Sequence, residues 1–80
     1  MEVFCVMRYV GDNDEELWSI HHNSVKAYEN AEGYCDFTKD DEHTPKVFPQ
    51  VVTPEEATYS WKWNYLKPGD FFVQQMEVLE

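Results

Sequence analysis

Two runs of strand-forming residues flank a four-residue turn near the start of the chain, and this pairing limits the possible folds most. Residues 2–10 (EVFCVMRYV) and residues 16–22 (ELWSIHH) have the length and residue types of strands. Within the intervening stretch, residues 11–14 (GDND) are typical of a tight turn, because Gly and Asn tolerate positive φ. The sequence therefore predicts an antiparallel hairpin. Its first strand is largely apolar on both faces, which is typical of a central strand.

A helix is predicted to follow the hairpin, over residues 25–38. Asn23 and Ser24 are both good N-cap residues, because their side-chain oxygens accept hydrogen bonds from the first turn. One face of this helix carries the side chains that would seat it on a sheet. They are Tyr28, Ala31 and Cys35.

Four carboxylates recur at helical spacing along this stretch. Glu29, Glu32, Asp36 and Asp40 fall at i, i+3, i+7 and i+11, which would place them in one row. One helical turn rises about 5.4 Å, a spacing similar to that of the phosphates along a nucleic-acid strand. Gly33 is the weak point of the row, since a helical glycine costs about 1 kcal/mol against alanine. A helix that ended before it would keep only two of the four acids in line.

The second half of the chain is predicted to contribute two more strands. Residues 57–66 (ATYSWKWNYL) alternate in period two and place four aromatic side chains on one face. These are Tyr59, Trp61, Trp63 and Tyr65. Residues 67–70 (KPGD) are typical of a type II turn, and residues 71–79 would return as the last strand. Pro49 limits residues 46–52 to a short edge segment.

These elements predict an α+β fold. The expected architecture is a four-stranded antiparallel sheet with one helix packed on a face, in the order β-β-α-β-β. The aromatic row of residues 57–66 is the predicted seat of the helix. A length of 80 residues suits one domain, spanning residues 1–80, and the 3 Trp, 5 Tyr and 5 Phe could fill its core.

The charge balance favours some partners and disfavours others. Asp and Glu number 16 against 6 Lys and Arg, and the formal net charge is -10. Such a chain repels nucleic acid and anionic lipid, so we expect no direct nucleic-acid binding and no membrane partner. It attracts basic protein surfaces instead. The sequence holds no long apolar run and no basic signal region, and its two cysteines lack a partner motif, so a cytoplasmic location is expected.

Metal sites fit the sequence poorly. Residues 12–16 resemble the start of a calcium loop, but Leu17 and Asn23 stand where such a loop needs Gly and Glu. The neighbouring His21 and His22 would point to opposite faces of a strand and could not readily share a zinc ion. We therefore expect no metal and no cofactor.

Catalytic and base-stacking sites are also disfavoured. Cys35 could pair with His21 or His43 as a nucleophile, but no glycine-rich oxyanion turn accompanies them. The aromatic row could stack nucleic-acid bases, but only Lys62 and Lys67 would lie near it to hold phosphates. We expect no enzymatic activity, and we interpret the aromatic row as core.

Three groups of acidic residues stand out, at residues 12–16, at Glu29, Glu32 and Asp36, and at residues 40–42. Together they resemble the acidic surfaces of small phage-encoded host-takeover proteins, some of which act as DNA mimics. The resemblance is one of character and implies a stoichiometric inhibitor in the host cytoplasm. Such an inhibitor occupies the DNA-binding face of a basic protein, for example a nucleoid protein of the HU type, a restriction enzyme or a CRISPR effector. The residues implied to bind the partner are Asp12, Asp14, Glu15, Glu16, Glu29, Glu32, Asp36, Asp40, Asp41 and Glu42.

An alternative interpretation is a protein-interaction module or adaptor, such as a polymerase or protease inhibitor, that binds through an apolar surface. Exposed members of a small set would carry that activity. The set is Phe48, Val51, Val52, Phe71 and Trp18. An unpaired edge strand could in addition support a homodimer.

Overall fold

The computed structural model describes residues 1–58 and 62–79 of the chain. In chain order its elements are β1 (Glu2–Gly11), β2 (Asp14–His21), α1 (Ser24–Thr38), a 3₁₀ turn (Glu56–Thr58), α2 (Lys62–Tyr65) and β3 (Phe71–Glu77). The strands form an antiparallel sheet in the order β2-β1-β3, and α1 packs across one face of it. Within the described ranges, no helix combines the length and apolar character that a bilayer crossing requires.

The predicted hairpin is confirmed. Gly11 pairs with Asp14, and the two residues between them have positive φ, 55° at Asp12 and 68° at Asn13. Positive φ at both central residues defines a type I′ turn, whose twist matches that of the flanking strands. The predicted central place of the first strand is also confirmed, since β1 pairs with β2 on one side and β3 on the other.

The predicted helix is confirmed as well, and it continues without interruption past Gly33. Asn23 is the N-cap, and its Oδ1 accepts a hydrogen bond from the Lys26 N–H at 2.8 Å. Ala27, Ala31 and Cys35 form the buried stripe of α1 and pack on the sheet. That packing offsets the cost of the glycine, because tertiary contacts supply most of the stability of a helix in a protein.

The prediction of four strands in the order β-β-α-β-β is wrong. The described residues form three strands in the order β-β-α-β, although the class remains α+β. Within residues 57–66, the described parts form the end of the 3₁₀ turn and the short helix α2 instead of a strand. Tyr59 and Trp61 lie outside the described residues.

The absence of the predicted fourth strand has a physical reason, because other residues already pair with the outer edge of β3. The Phe48 N–H donates to the Phe71 carbonyl at 2.9 Å, and the Val52 N–H donates to the Val73 carbonyl at 2.8 Å. Val47 and Val52 make isolated parallel bridges to β3, as expected for a short edge segment at residues 46–52. A strand at residues 57–66 would have needed the same edge.

Each face of the sheet carries its own apolar cluster. On the first face, Val6, Phe71 and Val73 pack under α1. On the second, Tyr9 and Phe72 pack with residues that arrive from the irregular second half of the chain, Val52 and Leu66. The helix α1 rests on the strands themselves. Of the aromatic row predicted as its seat, Tyr65 lies by Phe48 instead, with ring centres 6.3 Å apart. Tyr59, Trp61 and the side chain of Trp63 lie outside the described residues.

Candidate protein-binding surface

The path of the chain brings the hairpin turn and the end of α1 to the same end of the sheet. β2 runs from the turn to His21, which pairs with Phe4 at the far end, and α1 then runs back. Near the end of α1, the Tyr34 ring lies 5.0 Å from the Trp18 ring and 5.9 Å from the Phe71 ring. Phe71 pairs with Arg8, which is close to the turn. We call this end of the molecule the turn end.

The loop after α1 is closed on itself by one carboxylate. Asp40 Oδ1 accepts hydrogen bonds from the Glu42 N–H at 2.9 Å and from the His43 N–H at 2.7 Å. These donors favour the charged form and hold the pKa of Asp40 below its ordinary value. The Asp40 N–H in turn donates to the His43 carbonyl at 3.0 Å. The backbone of the loop therefore has a defined shape, from which the exposed side chains of Asp41 and Glu42 project.

His43 and Asp70 attach this loop to the sheet. His43 Nε2 lies 3.7 Å from Asp70 Oδ1, and the Asp70 side chain is almost fully buried. Asp70 Oδ1 also accepts from the Lys46 N–H at 3.2 Å, while its Oδ2 accepts from the Lys67 N–H at 3.0 Å. The Asp70 carbonyl accepts from the Tyr9 N–H at 2.8 Å. The carboxylate of Asp70 thus joins two segments at the turn end, and its backbone carbonyl adds β1 as a third.

The type II turn predicted at residues 67–70 is confirmed by its geometry. Gly69 has φ +104°, and the Asp70 N–H donates to the Lys67 carbonyl at 2.9 Å. The structural role of Asp70 was not predicted from this segment. Its signal in the sequence is an Asp between a turn and an apolar strand start, where a side chain can accept from neighbouring backbone groups.

Most of the sequence-predicted acids gather at the turn end, on exposed positions. Two come from the turn, one from β2, one from the last turns of α1, and three from the loop that follows. They are Asp12, Asp14, Glu16, Asp36, Asp40, Asp41 and Glu42. We call this set the acidic end.

Three predicted acids lie apart from the acidic end. Glu15 is half-buried and pairs with Tyr9, on the face of the sheet away from the helix. Glu29 and Glu32 are exposed but sit one to two turns further back along α1. The predicted row therefore has three helical members, since Asp40 follows the extended C-cap residue Lys39 and leaves the helix axis.

Few cations of the described residues neutralise these acids. Glu29 pairs with Lys26 at 3.8 Å, on a side of the helix that is open to solvent. The guanidinium of Arg8 is engaged elsewhere, 5.6 Å from the Trp18 ring centre and 5.7 Å from that of Phe71. No ion pair within 4.0 Å joins a Lys or Arg to a member of the acidic end in the described ranges. The surface therefore keeps a strong negative potential.

No family model, curated protein or solved structure matches this chain.

Cys35, which the sequence analysis disfavours as a nucleophile, lies in a position that suits that role poorly. Cys35 lies in the buried stripe of α1, and burial, with the negative charges of Asp70, Asp36 and Glu32, raises its pKa to about 11. The thiolate is the nucleophilic form of cysteine, so a thiol with this pKa is almost wholly unreactive near neutral pH.

The apolar residues predicted to form an alternative binding surface are partly or fully buried in the core. Phe71 and Val52 are fully buried, and Trp18, Phe48 and Val51 are half-buried. A surface built from these five residues is therefore not available to a partner as one exposed patch.

Proposed function

We propose that this protein binds a basic DNA-binding protein through its acidic end and keeps DNA from that protein. Carboxylates take the place of phosphates, in the manner of the phage-encoded DNA mimics that the sequence resembles. The partner classes are a nucleoid protein of the HU type, a restriction enzyme or a CRISPR effector. Such a target places the protein in the cytoplasm of the host cell, and no catalysis is required of it.

The observation that carries the proposal is the convergence of separate acidic segments on one end of the molecule. The hairpin turn, α1 and the loop at residues 40–42 are distant in sequence, yet the antiparallel path brings them together. The loop is held by Asp40 and by the contact of His43 with Asp70. Preorganised charges bind better than mobile ones, since less side-chain and loop ordering opposes association.

The mechanism follows from the chemistry of DNA-binding faces. Lys and Arg side chains that normally contact phosphates would pair with the exposed carboxylates instead. Complementary fields speed the encounter, and they make the complex sensitive to salt. Because both ligands need the same cations, DNA and this protein compete for the partner.

The test is capture of DNA-binding proteins from a bacterial lysate at about 0.05 M and about 0.5 M salt, where the screening length falls several-fold. We expect a basic DNA-binding protein to be retained at low salt and released by high salt or by added duplex DNA. Retention that is unchanged by salt and by DNA would contradict the proposal and favour an apolar adaptor.

Paired variants separate the acidic end from net charge. Asp41→Asn with Glu42→Gln removes two charges there, and Glu2→Gln with Glu77→Gln removes two at the opposite end of the sheet. We expect the first pair to weaken binding about 5- to 10-fold, because each exposed ion pair is worth up to about 1 kcal/mol. The second pair should change it far less. Equal losses would show that only net charge matters.

A further inference from the structure

An open groove of about 490 Å³ lies between α1 and β2, next to the acidic end. Its lining residues are Trp18, Glu29, Asn30, Gly33, Tyr34 and Phe37. The groove combines three aromatic rings with a carboxylate and an amide. Its volume is in the range that holds a small ligand or a side chain with its flanking backbone.

Two residues of the groove are unfavourable for the fold alone. Gly33 is exposed within a helix, and a Cβ built there meets no atom within 4 Å, so neither packing nor backbone conformation requires a glycine. Phe37 is 83 % exposed, an unusual position for a large apolar ring. Local choices that work against stability tend to occur at functional sites. Here both residues line the groove, and the absence of a side chain at Gly33 leaves the space beside Phe37 open.

The chemistry of the lining suits a planar cation. Aromatic faces attract guanidinium groups, which stack on rings and also pair with carboxylates. The fold itself contains this interaction, since the Arg8 guanidinium lies 5.6 Å from the centre of the Trp18 ring. Glu29 pairs with Lys26 at 3.8 Å, but both side chains are more than half exposed, and such pairs exchange easily. An incoming guanidinium can therefore take over the Glu29 carboxylate.

We infer that the groove binds an arginine side chain of the basic partner. This inference rests on the proposed function and deepens it, because it adds a specific anchor to a surface that otherwise recognises only charge. Glu32 and Asp36 on the same helix extend the negative surface from the groove to the acidic end. The partner would thus place one arginine in the groove and further cations on the acidic end.

The first test titrates the isotope-labelled protein with N-acetylarginine amide and follows its amide resonances by NMR. We expect saturable shifts centred on Gly33, Phe37 and the Trp18 indole. N-acetylcitrulline amide keeps the shape of arginine but lacks the charge, and it should bind at least about fivefold more weakly. Equal binding of the two probes would overturn the inference. So would shifts spread evenly over the acidic residues, or shifts at Gly33 caused by protein concentration alone, which would indicate a second copy in the groove.

The second test uses variants with matched effects on charge and fold. Gly33→Gln fills the groove while favouring the helix, so we expect Tm to stay the same or rise and arginine-probe binding to fall at least about fivefold. Glu29→Gln should also weaken the probe, whereas Glu32→Gln, the same charge change outside the groove, should have a much smaller effect. If Gly33→Gln retains full probe binding, or Glu29→Gln and Glu32→Gln behave alike, the groove is not the site.

The two proposals fail in distinguishable ways. If the arginine probe does not bind the groove but salt-sensitive, DNA-competed capture persists, the groove inference is wrong and the proposed function stands. If the probe binds the groove but no DNA-binding protein is captured, the proposed function is wrong and only the preference for arginine remains.

Discussion

Asp70 shows how a single buried residue can fix the place of a distant surface. Its two carboxylate oxygens accept from backbone N–H groups of different segments, Lys46 and Lys67, and one of them also faces His43. The acidic loop just before His43 is therefore attached to a residue 27 positions after that histidine. Sequence patterns of local spacing do not reveal such a contact, because it depends on the tertiary path.

Replacing Asp70 by Asn should destabilise the protein by about 1–3 kcal/mol. An amide has only one acceptor oxygen, so one of the two buried N–H groups would face another donor and lose its partner. Thermal or urea unfolding measures the change. The control is Asp41→Asn, an exposed site at which the effect should stay within about 0.5 kcal/mol. Equal stabilities of the two variants would contradict this role.

The carboxylate of Asp40 should titrate below its ordinary pKa of 3.8. The N–H donors of Glu42 and His43 favour its charged form in the folded state. A lowered folded-state pKa means that the contribution to stability is complete above the ordinary pKa and is lost as pH falls through the lowered value. An NMR pH titration of the side-chain carboxyl measures the midpoint. The variant Asp40→Ala removes the acceptor of both hydrogen bonds and should make the loop more mobile. A titration midpoint at or above 3.8 for Asp40 in the parent protein would contradict the assignment.

At the scale of elements, local signals were sufficient for the hairpin and the helix. The turn at residues 11–14 and the cap at Asn23 act on their own neighbours, and both were predicted from the sequence. The strand predicted at residues 57–66 failed because strands compete for edges, and residues 46–52 had already occupied the edge of β3. Each acidic residue of the candidate site could be identified from the sequence. Their convergence on one end of the molecule could not, because it depends on the direction in which α1 crosses the sheet.

The fit of α1 on the sheet depends on small side chains. Ala27 and Ala31 are fully buried and allow the helix axis to approach the strands closely. We expect Ala31→Leu to destabilise the fold by about 1–3 kcal/mol through overpacking, measured by thermal unfolding. Val25→Leu adds apolar volume at an exposed position of the same helix and should be nearly neutral. A stable Ala31→Leu variant would show that the helix can shift without cost.

At the scale of the whole molecule, the same negative charge affects both the stability of the fold and the proposed binding. A net charge of -10 on 80 residues repels itself, so part of the folding free energy is spent on holding the acids together. In the proposed complex, the cations of the basic partner reduce this repulsion. The acidic end therefore adds to the electrostatic cost of the fold and, in the proposed function, is the surface that binds the partner.

Salt should consequently raise Tm while it weakens binding. Between about 0.01 M and about 0.5 M sodium chloride the screening length falls from about 30 Å to a few ångströms, which reduces the self-repulsion. Calorimetry should show a rise of several degrees for the parent chain. The rise should be smaller for a variant combining Asp12→Asn, Asp41→Asn and Glu42→Gln. A Tm that is unchanged or lower in salt would contradict this account.

The sheet also separates the two thiols of the molecule, which are the groups that could form a disulfide. Cys5 lies on the face of β1 away from the helix, with its Sγ 3.5 Å from the Sδ of Met76, while Cys35 lies under the helix on the other face. Both are free and buried, and a layer of backbone stands between them. Cys5 and Cys35 therefore cannot form a disulfide in the folded chain, and a disulfide between them marks a molecule whose helix has already left the sheet.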